Sequence, residues 1–170
     1  MSRLGFLPLC FAGLFMVSGL AGCSPADFSA ADMVIELSLP DGFRWTATPV
    51  TIDDPATLAA KLGPDSSDLL EHNWQSSTLG KLVCEKVAIR IAVHLLASQS
   101  DAADMLAEHK YPDAQPLKLG QQAYRWLDRN AAETIFFRRD VYFAQLTVEP
   151  RPELPVLEPL GARLDRLLAR

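Results

Sequence analysis

Apolar residues occupy every odd position from 87 to 95, and this alternation constrains the fold more than any other feature of the chain. The even positions between them hold Arg90, His94 and alanines. A period of two is typical of a β-strand, because successive side chains point to opposite faces of a sheet. The sequence therefore predicts a long strand over residues 81–97, placed centrally in a sheet.

Five shorter segments also favour strands, because they alternate in polarity or are rich in β-branched and aromatic residues. They cover residues 33–39, 43–48, 122–127, 134–137 and 141–149. The first two flank a Pro-Asp-Gly turn. The last two predict an antiparallel hairpin, with Arg138 and Arg139 at its exposed tip.

A helix is predicted where capping residues flank a short apolar stripe. Asp54 provides an N-cap, and Pro55 suits the first helical position. Gly63 provides a C-cap eight residues later in the chain. The segment between these caps is therefore predicted to be helical.

Three more helices are predicted further along the chain. A short one, capped by Ser66 or Ser67, is expected to carry Trp74. Residues 101–110 have acids in the first turn and a basic pair in the last, which complements a helix dipole. The C-terminal segment predicts an amphipathic helix. Its apolar stripe consists of Leu157, Leu160, Leu164, Leu167 and Leu168.

This order of elements predicts an α+β fold in which helices cover a mostly antiparallel sheet. Apolar residues make up 49% of the chain, which is enough for a core of ordinary domain size. A single globular domain is therefore expected over residues 33–170.

The first 22 residues are considered apart from the fold. Arg3 is their one charged residue, and residues 4–17 form an apolar run. A helix that crosses a bilayer needs about 20 apolar residues, so this run is too short. Residues 1–22 are therefore predicted to be a cleaved signal peptide.

This leader ends in Leu20-Ala21-Gly22-Cys23, which resembles the lipobox of bacterial lipoproteins. The resemblance implies cleavage before Cys23 and attachment of diacylglycerol to its thiol, with residues 23–32 as a lipidated N-terminus and short tether. It implies an envelope protein that faces the periplasm and contacts membrane lipid through this cysteine. Ser24 favours the outer over the inner membrane. An ordinary signal peptide with a chance cysteine is the alternative.

The folded part also resembles a known group. A strand, a Pro-x-Gly turn and an aromatic residue open it at residues 35–43, and a late strand pair leads into the C-terminal helix. This outline resembles DcrB and the wider PsbP-like group of envelope lipoproteins, which implies an α/β/α sandwich. The resemblance carries over no catalytic motif.

No catalytic, cofactor-binding or metal-ligating residue is predicted, because no known motif has the required spacing. His72 is interpreted as part of a solvated face, and His109 as a cation at a helix C-terminus. His94 is interpreted as a buried structural histidine, with a partly open polar patch as the alternative.

Cys84 is the one thiol expected to stay free, because Cys10 leaves with the leader and Cys23 carries lipid. An intramolecular disulfide is therefore excluded. On a straight strand over residues 81–97, Cys84 would lie roughly 33 Å from His94, too far for a catalytic pair. Burial in the core is expected for Cys84, with a redox role as the alternative.

Binding is the function that this sequence favours. A net charge of −5 disfavours nucleic acid as a partner. Trp74, Arg138 and Arg139 form the candidate binding surface, since Trp and Arg dominate interface hot spots. The expected function is a non-catalytic binding or assembly accessory at the membrane, with an envelope protein as partner. A carrier of a hydrophobic ligand and a membrane-tethered hydrolase are the alternatives.

Overall fold

The computed structural model describes residues 30–128 and 132–170. The predicted signal peptide and lipidation site, Cys23, lie outside these ranges. The helices are α1 (Ala30–Ile35), α2 (Pro55–Leu62), α3 (Asp65–Glu71), α4 (Gln99–Glu108) and α5 (Leu157–Leu168). The strands are β1 (Arg44–Trp45), β2 (Val50–Ile52), β3 (Trp74–Cys84), β4 (Val87–Leu96), β5 (Gln115–Leu117), β6 (Gln122–Leu127), β7 (Glu133–Arg139) and β8 (Tyr142–Glu149).

The strands form one sheet in the order β1-β3-β4-β8-β7-β6-β5, and β2 pairs with β3 beside β1. Every pairing among the described strands is antiparallel. β4 and β8 lie in the middle, where Ile91 faces Leu146 in the register. The predicted antiparallel sheet and the hairpin of β7 and β8 are thus confirmed, whereas residues 43–48 form only the two-residue strand β1.

The single strand predicted over residues 81–97 is wrong, because the chain turns back at Glu85. This residue has a positive φ of 52°, and β3 pairs with β4 from Cys84 opposite Val87 to the far end of the hairpin. The Glu85-Lys86 turn contains no Gly, Pro, Asn or Asp, the residues that normally mark such a turn. Both of its arms are strands, so the pattern of polarity did not reveal the reversal.

The strand predicted over residues 33–39 is also wrong, because its first part belongs to helix α1. Ala30 and Val34 are buried, whereas Ile35 is 49% exposed. Buried residues four apart are typical of a helix, since a strand buries alternate residues. This stripe packs into the core beside α5. Residues 30–32, assigned above to the tether, therefore form part of a helix.

Local capping explains why α2 was predicted correctly. The Asp54 carboxylate accepts a hydrogen bond from the N–H of Thr57 at 2.8 Å, and Pro55 is the first helical residue. Gly63 follows the helix with a φ of 62°, a conformation that costs a glycine little. Sequence and structure agree here because every signal is local.

The other two helices on this side of the sheet are shifted from their predicted bounds. Pro64, rather than Ser66 or Ser67, stands at the N-cap of α3. This helix ends before Trp74, which opens β3. Helix α4 is capped by Ser98, whose hydroxyl accepts a hydrogen bond from the N–H of a residue in the first turn.

Helices cover both faces of the sheet. Helices α1 and α5 pack on the face that carries Ile89 and Ile135, and all five predicted leucines of α5 are buried there. Helices α2, α3 and α4 lie over the opposite face, which carries Phe136 and Phe143. The predicted α+β class and the C-terminal amphipathic helix are confirmed, with helix, sheet and helix as three layers. None of the helices in the described ranges is long and apolar enough to cross a membrane.

Candidate functional site

A cleft of about 270 Å³ lies between the sheet and the layer formed by α2, α3 and α4. The sheet contributes Ala92, His94, Phe136, Phe143 and Gln145. The helices and the segment after α4 contribute Leu62, Asp65, Asp68, Leu69, Met105, Glu108, His109 and Tyr111. The site therefore combines residues that are far apart in the sequence.

The floor of the cleft is the middle of the sheet. Gln145 on β8 lies between Ala92 on β4 and Phe136 on β7 in the strand register. Alanine extends only a methyl group above the sheet, so space remains between its larger neighbours and the helices. The cleft is open at this point because the sequence places a small residue there.

His94 is the most deeply buried polar residue of the cleft, with 3% of its surface exposed. Its Nδ1 lies 2.7 Å from the hydroxyl oxygen of Ser77, the residue opposite it on β3. The indole Nε1–H of Trp74 donates to the same oxygen at 2.8 Å. The His94 ring also stacks on Phe143, with ring centroids 5.9 Å apart. These contacts fix the orientation of the imidazole.

The donor and acceptor roles in these hydrogen bonds determine which ring nitrogen of His94 carries the proton. The indole of Trp74 can only donate, so the oxygen of Ser77 acts as acceptor for it. Ser77 is 1% exposed, and Nδ1 of His94 is the one acceptor for its hydroxyl among the described residues. Because a buried hydroxyl proton needs an acceptor, Nδ1 accepts and the neutral ring carries its proton on Nε2.

The Nε2–H group of His94 is therefore a donor that the protein leaves open. Within residues 30–128 and 132–170, no protein group forms a hydrogen bond with this nitrogen. Since His94 lines the cleft, a molecule held there can accept this bond. Nε2 is not among the buried unpaired side-chain atoms of the described residues, so water in the cleft can pair with it until a ligand takes its place.

His94 is neutral under ordinary conditions. Burial, and to a smaller extent the nearby charge of His109, lowers the pKa of His94 from 6.5 to about 3. Burial has this effect because it disfavours the charged form of the ring. At neutral pH, His94 can therefore supply one hydrogen bond but no positive charge.

His109 adds a second imidazole at the end of α4. Its Nδ1–H donates to the carbonyl of Met105 at 3.0 Å, and its ring packs against Phe136 and Phe143 at 5.8 and 5.1 Å. When the ring is neutral, its Nε2 is a hydrogen-bond acceptor. Together with His94, the cleft thus offers a donor and an acceptor.

Three carboxylates line the cleft. They belong to Asp65, Asp68 and Glu108, and no Lys or Arg lies among the described lining residues. Glu108 also contacts Nε2 of His72 at 3.0 Å. No group of three or more His, Cys, Asp or Glu residues in the described part of the chain could hold a metal ion. The site is therefore a polar, negatively charged cleft above an aromatic floor.

The structure does not bring the predicted binding residues Trp74, Arg138 and Arg139 together. Trp74 packs against the core beneath α2, α3 and α4, where it orients Ser77. Arg139 forms two hydrogen bonds of 2.7 Å with Asp165 of α5, which lies on the other face. The expected position at an exposed hairpin tip is wrong, because both arginines lie within β7 and neither is exposed. Arg138 instead donates to Gln121.

The structure revises the interpretation of the histidines. His94 is buried, as expected, yet it also lines an open cleft, so the two alternatives given for it both apply. His72 does not lie on a solvated face, since its side chain is 14% exposed. Sequence spacing gave no sign that His94 and His109 share a site, because they come from a strand and a helix that meet only in the fold.

Cys84 is half-buried, so its expected burial in the core is wrong. It is the last residue of β3, beside the turn, and its sulfur lies near Gly42. The prediction placed Cys84 within a long central strand. The end of a strand, at the rim of the sheet, is less covered by the helices. Cys84 and His94 now lie on different strands, so the separation along a single strand no longer applies.

Ser77 and His94 form a serine–histidine pair that the sequence did not reveal. The hydroxyl is buried behind the imidazole and already accepts the indole proton of Trp74. A nucleophilic serine must instead meet the substrate while the histidine removes its proton. In this pair, Ser77 orients the ring and does not present a nucleophile to the cleft.

No family model and no curated protein sequence matches this chain. Among solved structures, the extracellular domain of PknH from Mycobacterium tuberculosis is similar over 82% of this chain and 89% of its own, with 5% sequence identity and a TM-score of 0.49. An uncharacterised protein from Mycobacterium smegmatis, the Rv0999 ortholog, is similar over 83% of this chain and 95% of its own, with 14% identity and a TM-score of 0.36.

Proposed function

We propose that this protein is an envelope lipoprotein whose α+β domain binds a small polar molecule in the cleft without transforming it. The observation that carries the proposal is the buried His94, which directs an unpaired Nε2–H donor into a solvent-accessible cleft. Its position is fixed by Trp74, Ser77 and Phe143. A rigid, unpaired donor is typical of a binding site, since little entropy is lost when the ligand pairs with it.

The envelope location rests on the sequence. The lipobox resemblance at residues 20–23 supports lipidation of Cys23, anchoring to the membrane and a domain that faces the periplasm. Two or more acyl chains anchor a protein stably, whereas a single chain does so only marginally. Ser24 supports the outer membrane as the destination. An envelope protein that receives the ligand or senses its binding is part of this proposal.

The two alternatives have less support than polar-ligand binding. A hydrophobic carrier needs a mainly apolar cavity, but this cleft is lined by three carboxylates and two imidazoles. A hydrolase needs an accessible nucleophile, but the Ser77 hydroxyl lies behind His94. The geometry therefore favours recognition over chemistry.

The test is a fragment screen against the mature protein in detergent micelles, with histidine side chains labelled with ¹⁵N. Polar fragments are expected to shift the Nε2 resonance of His94, assigned with the His94→Gln variant. Ala92→Leu should abolish the shift because it fills the floor of the cleft. Ala88→Leu is the matched control, since Ala88 points to the same face of β4 but lies outside the cleft.

Two results would overturn the proposal. One is a screen in which no polar fragment shifts His94 in the folded protein. The other is binding that survives Ala92→Leu as fully as it survives Ala88→Leu, since the ligand would then occupy another site.

A further inference from the structure

We infer that the ligand of this cleft is a small organic ammonium compound that also carries an uncharged oxygen acceptor, such as a hydroxyl or carbonyl group. This inference rests on the proposed binding function and specifies the class of ligand. Three features of the cleft carry it: the sign of its charge, the open donor of His94 and its size.

The charge of the lining selects a cation. Asp65 and Asp68 belong to α3, and Glu108 is the last residue of α4. No Lys or Arg in the described lining offsets them. An anionic ligand would be repelled by these carboxylates, whereas an ammonium group gains a favourable interaction and hydrogen-bond acceptors.

The donor on His94 selects an uncharged oxygen. Its Nε2–H must be paired in the bound state, because a donor kept from water by a ligand costs free energy when it is unpaired. A carboxylate or phosphate could accept this bond, but it would bring negative charge among Asp65, Asp68 and Glu108. A hydroxyl or carbonyl oxygen accepts the bond without that repulsion.

The size of the cleft limits the ligand to a small molecule. Its volume of about 270 Å³ lies just below the roughly 300–1,000 Å³ that is typical of small-molecule pockets. Phe136 and Phe143 provide an apolar floor on which a short carbon skeleton or one ring can lie. A free amine of this size fits the cleft, whereas a bulky polymer does not.

Tyramine is a suitable probe, because it combines an ammonium group, one ring and a hydroxyl. Three analogues of similar size each change one feature: phenethylamine lacks the hydroxyl, tyrosol replaces the ammonium with a hydroxyl, and 4-hydroxyphenylacetate carries a negative charge. Affinities for the full mature protein in micelles are measured by calorimetry and by the ¹⁵N shift of His94. Tyramine is expected to bind about tenfold more tightly than phenethylamine or tyrosol, and 4-hydroxyphenylacetate more weakly than all three.

A pair of charge variants tests the role of the carboxylates. The double variant Asp65→Asn/Asp68→Asn should weaken tyramine binding roughly fivefold and leave tyrosol binding unchanged. Glu71→Gln with Asp104→Asn removes the same charge from α3 and α4 outside the lining. This control should leave both affinities unchanged. Equal losses in the two double variants would overturn the inference, because only the overall charge would then matter.

The remaining outcomes separate this inference from the proposed function. If tyrosol or 4-hydroxyphenylacetate binds at His94 as tightly as tyramine, the ammonium class is wrong and the cleft remains a binding site. If all four probes fail while other polar fragments shift His94, the same conclusion follows. If the fragment screen also fails, both proposals are wrong.

Discussion

His94 shows how a single buried side chain can be polar without forming an ion pair. Its neutral ring is hydrogen-bonded to Ser77 through Nδ1, and the ring also lines the cleft. This arrangement makes the folded state sensitive to acid, because the native ring takes up a proton only near pH 3. The same residue therefore links the site to the stability of the fold.

The unfolding free energy is expected to decrease as the pH falls from about 6.5 to about 3. Over this range the unfolded chain binds a proton on His94 that the folded chain excludes, because its pKa is lowered to about 3 in the fold. The slope attributable to this group is at most about 1.4 kcal/mol per pH unit. Urea unfolding at several pH values should show it in the wild type and in His72→Gln but not in His94→Gln. Parallel profiles for all three proteins would contradict the assignment to His94.

At the level of elements, the β3–β4 hairpin is the feature that the sequence pattern failed to predict. Its turn places Glu85 in the left-handed region, where a side chain costs about 1–2 kcal/mol. The long antiparallel pairing of β3 with β4 compensates for this local cost.

Glu85→Gly is expected to leave the unfolding free energy unchanged or to raise it by up to about 1 kcal/mol, because glycine tolerates a positive φ. Lys86→Gly, the control at the other turn position, should lower the unfolding free energy by roughly 0.5–1 kcal/mol, because Lys86 does not have a positive φ. Chemical denaturation measures both variants. Equal destabilisation by the two substitutions would contradict a left-handed turn at Glu85.

Elements with local signals were predictable, and the site was not. Helix α2 carries its caps in the sequence, and α5 carries its buried leucine stripe. The apolar residues of helix α1 fit both the helical period and the strand period, so only its packing beside α5 distinguishes a helix from a strand. The cleft brings together Asp68, His94, His109 and Gln145 from four separate elements, which no local pattern relates.

At the scale of the whole molecule, both ends of the described fold lie on one side of the sheet. Helix α1 packs against α5, and Arg163 donates to the carbonyl of Ser38 at 2.7 Å. Arg170 pairs with Glu36 at 3.2 Å. The cleft lies on the opposite face, beneath α2, α3 and α4.

Cys23→Ala is expected to release the protein from the membrane fraction or to leave it as an uncleaved precursor, because the proposed lipid has no other attachment point. Fractionation of cells labelled with a palmitate analogue measures both outcomes. Cys84→Ala is the control, and it should stay labelled and membrane-bound. A Cys23→Ala protein that remains processed and membrane-bound would show that the anchor lies elsewhere.

The position of α1 limits how a lipid-tethered domain could sit at a membrane. Under the proposed lipidation of Cys23, seven peptide units separate the anchor from Ala30, and they span at most about 25 Å. Such a tether would keep the α1 side near the lipid and leave the cleft, on the opposite face of the sheet, accessible from the aqueous compartment. A molecule diffusing through the periplasm could enter from solution without crossing lipid, and a partner protein could approach the same open side while the domain stays attached.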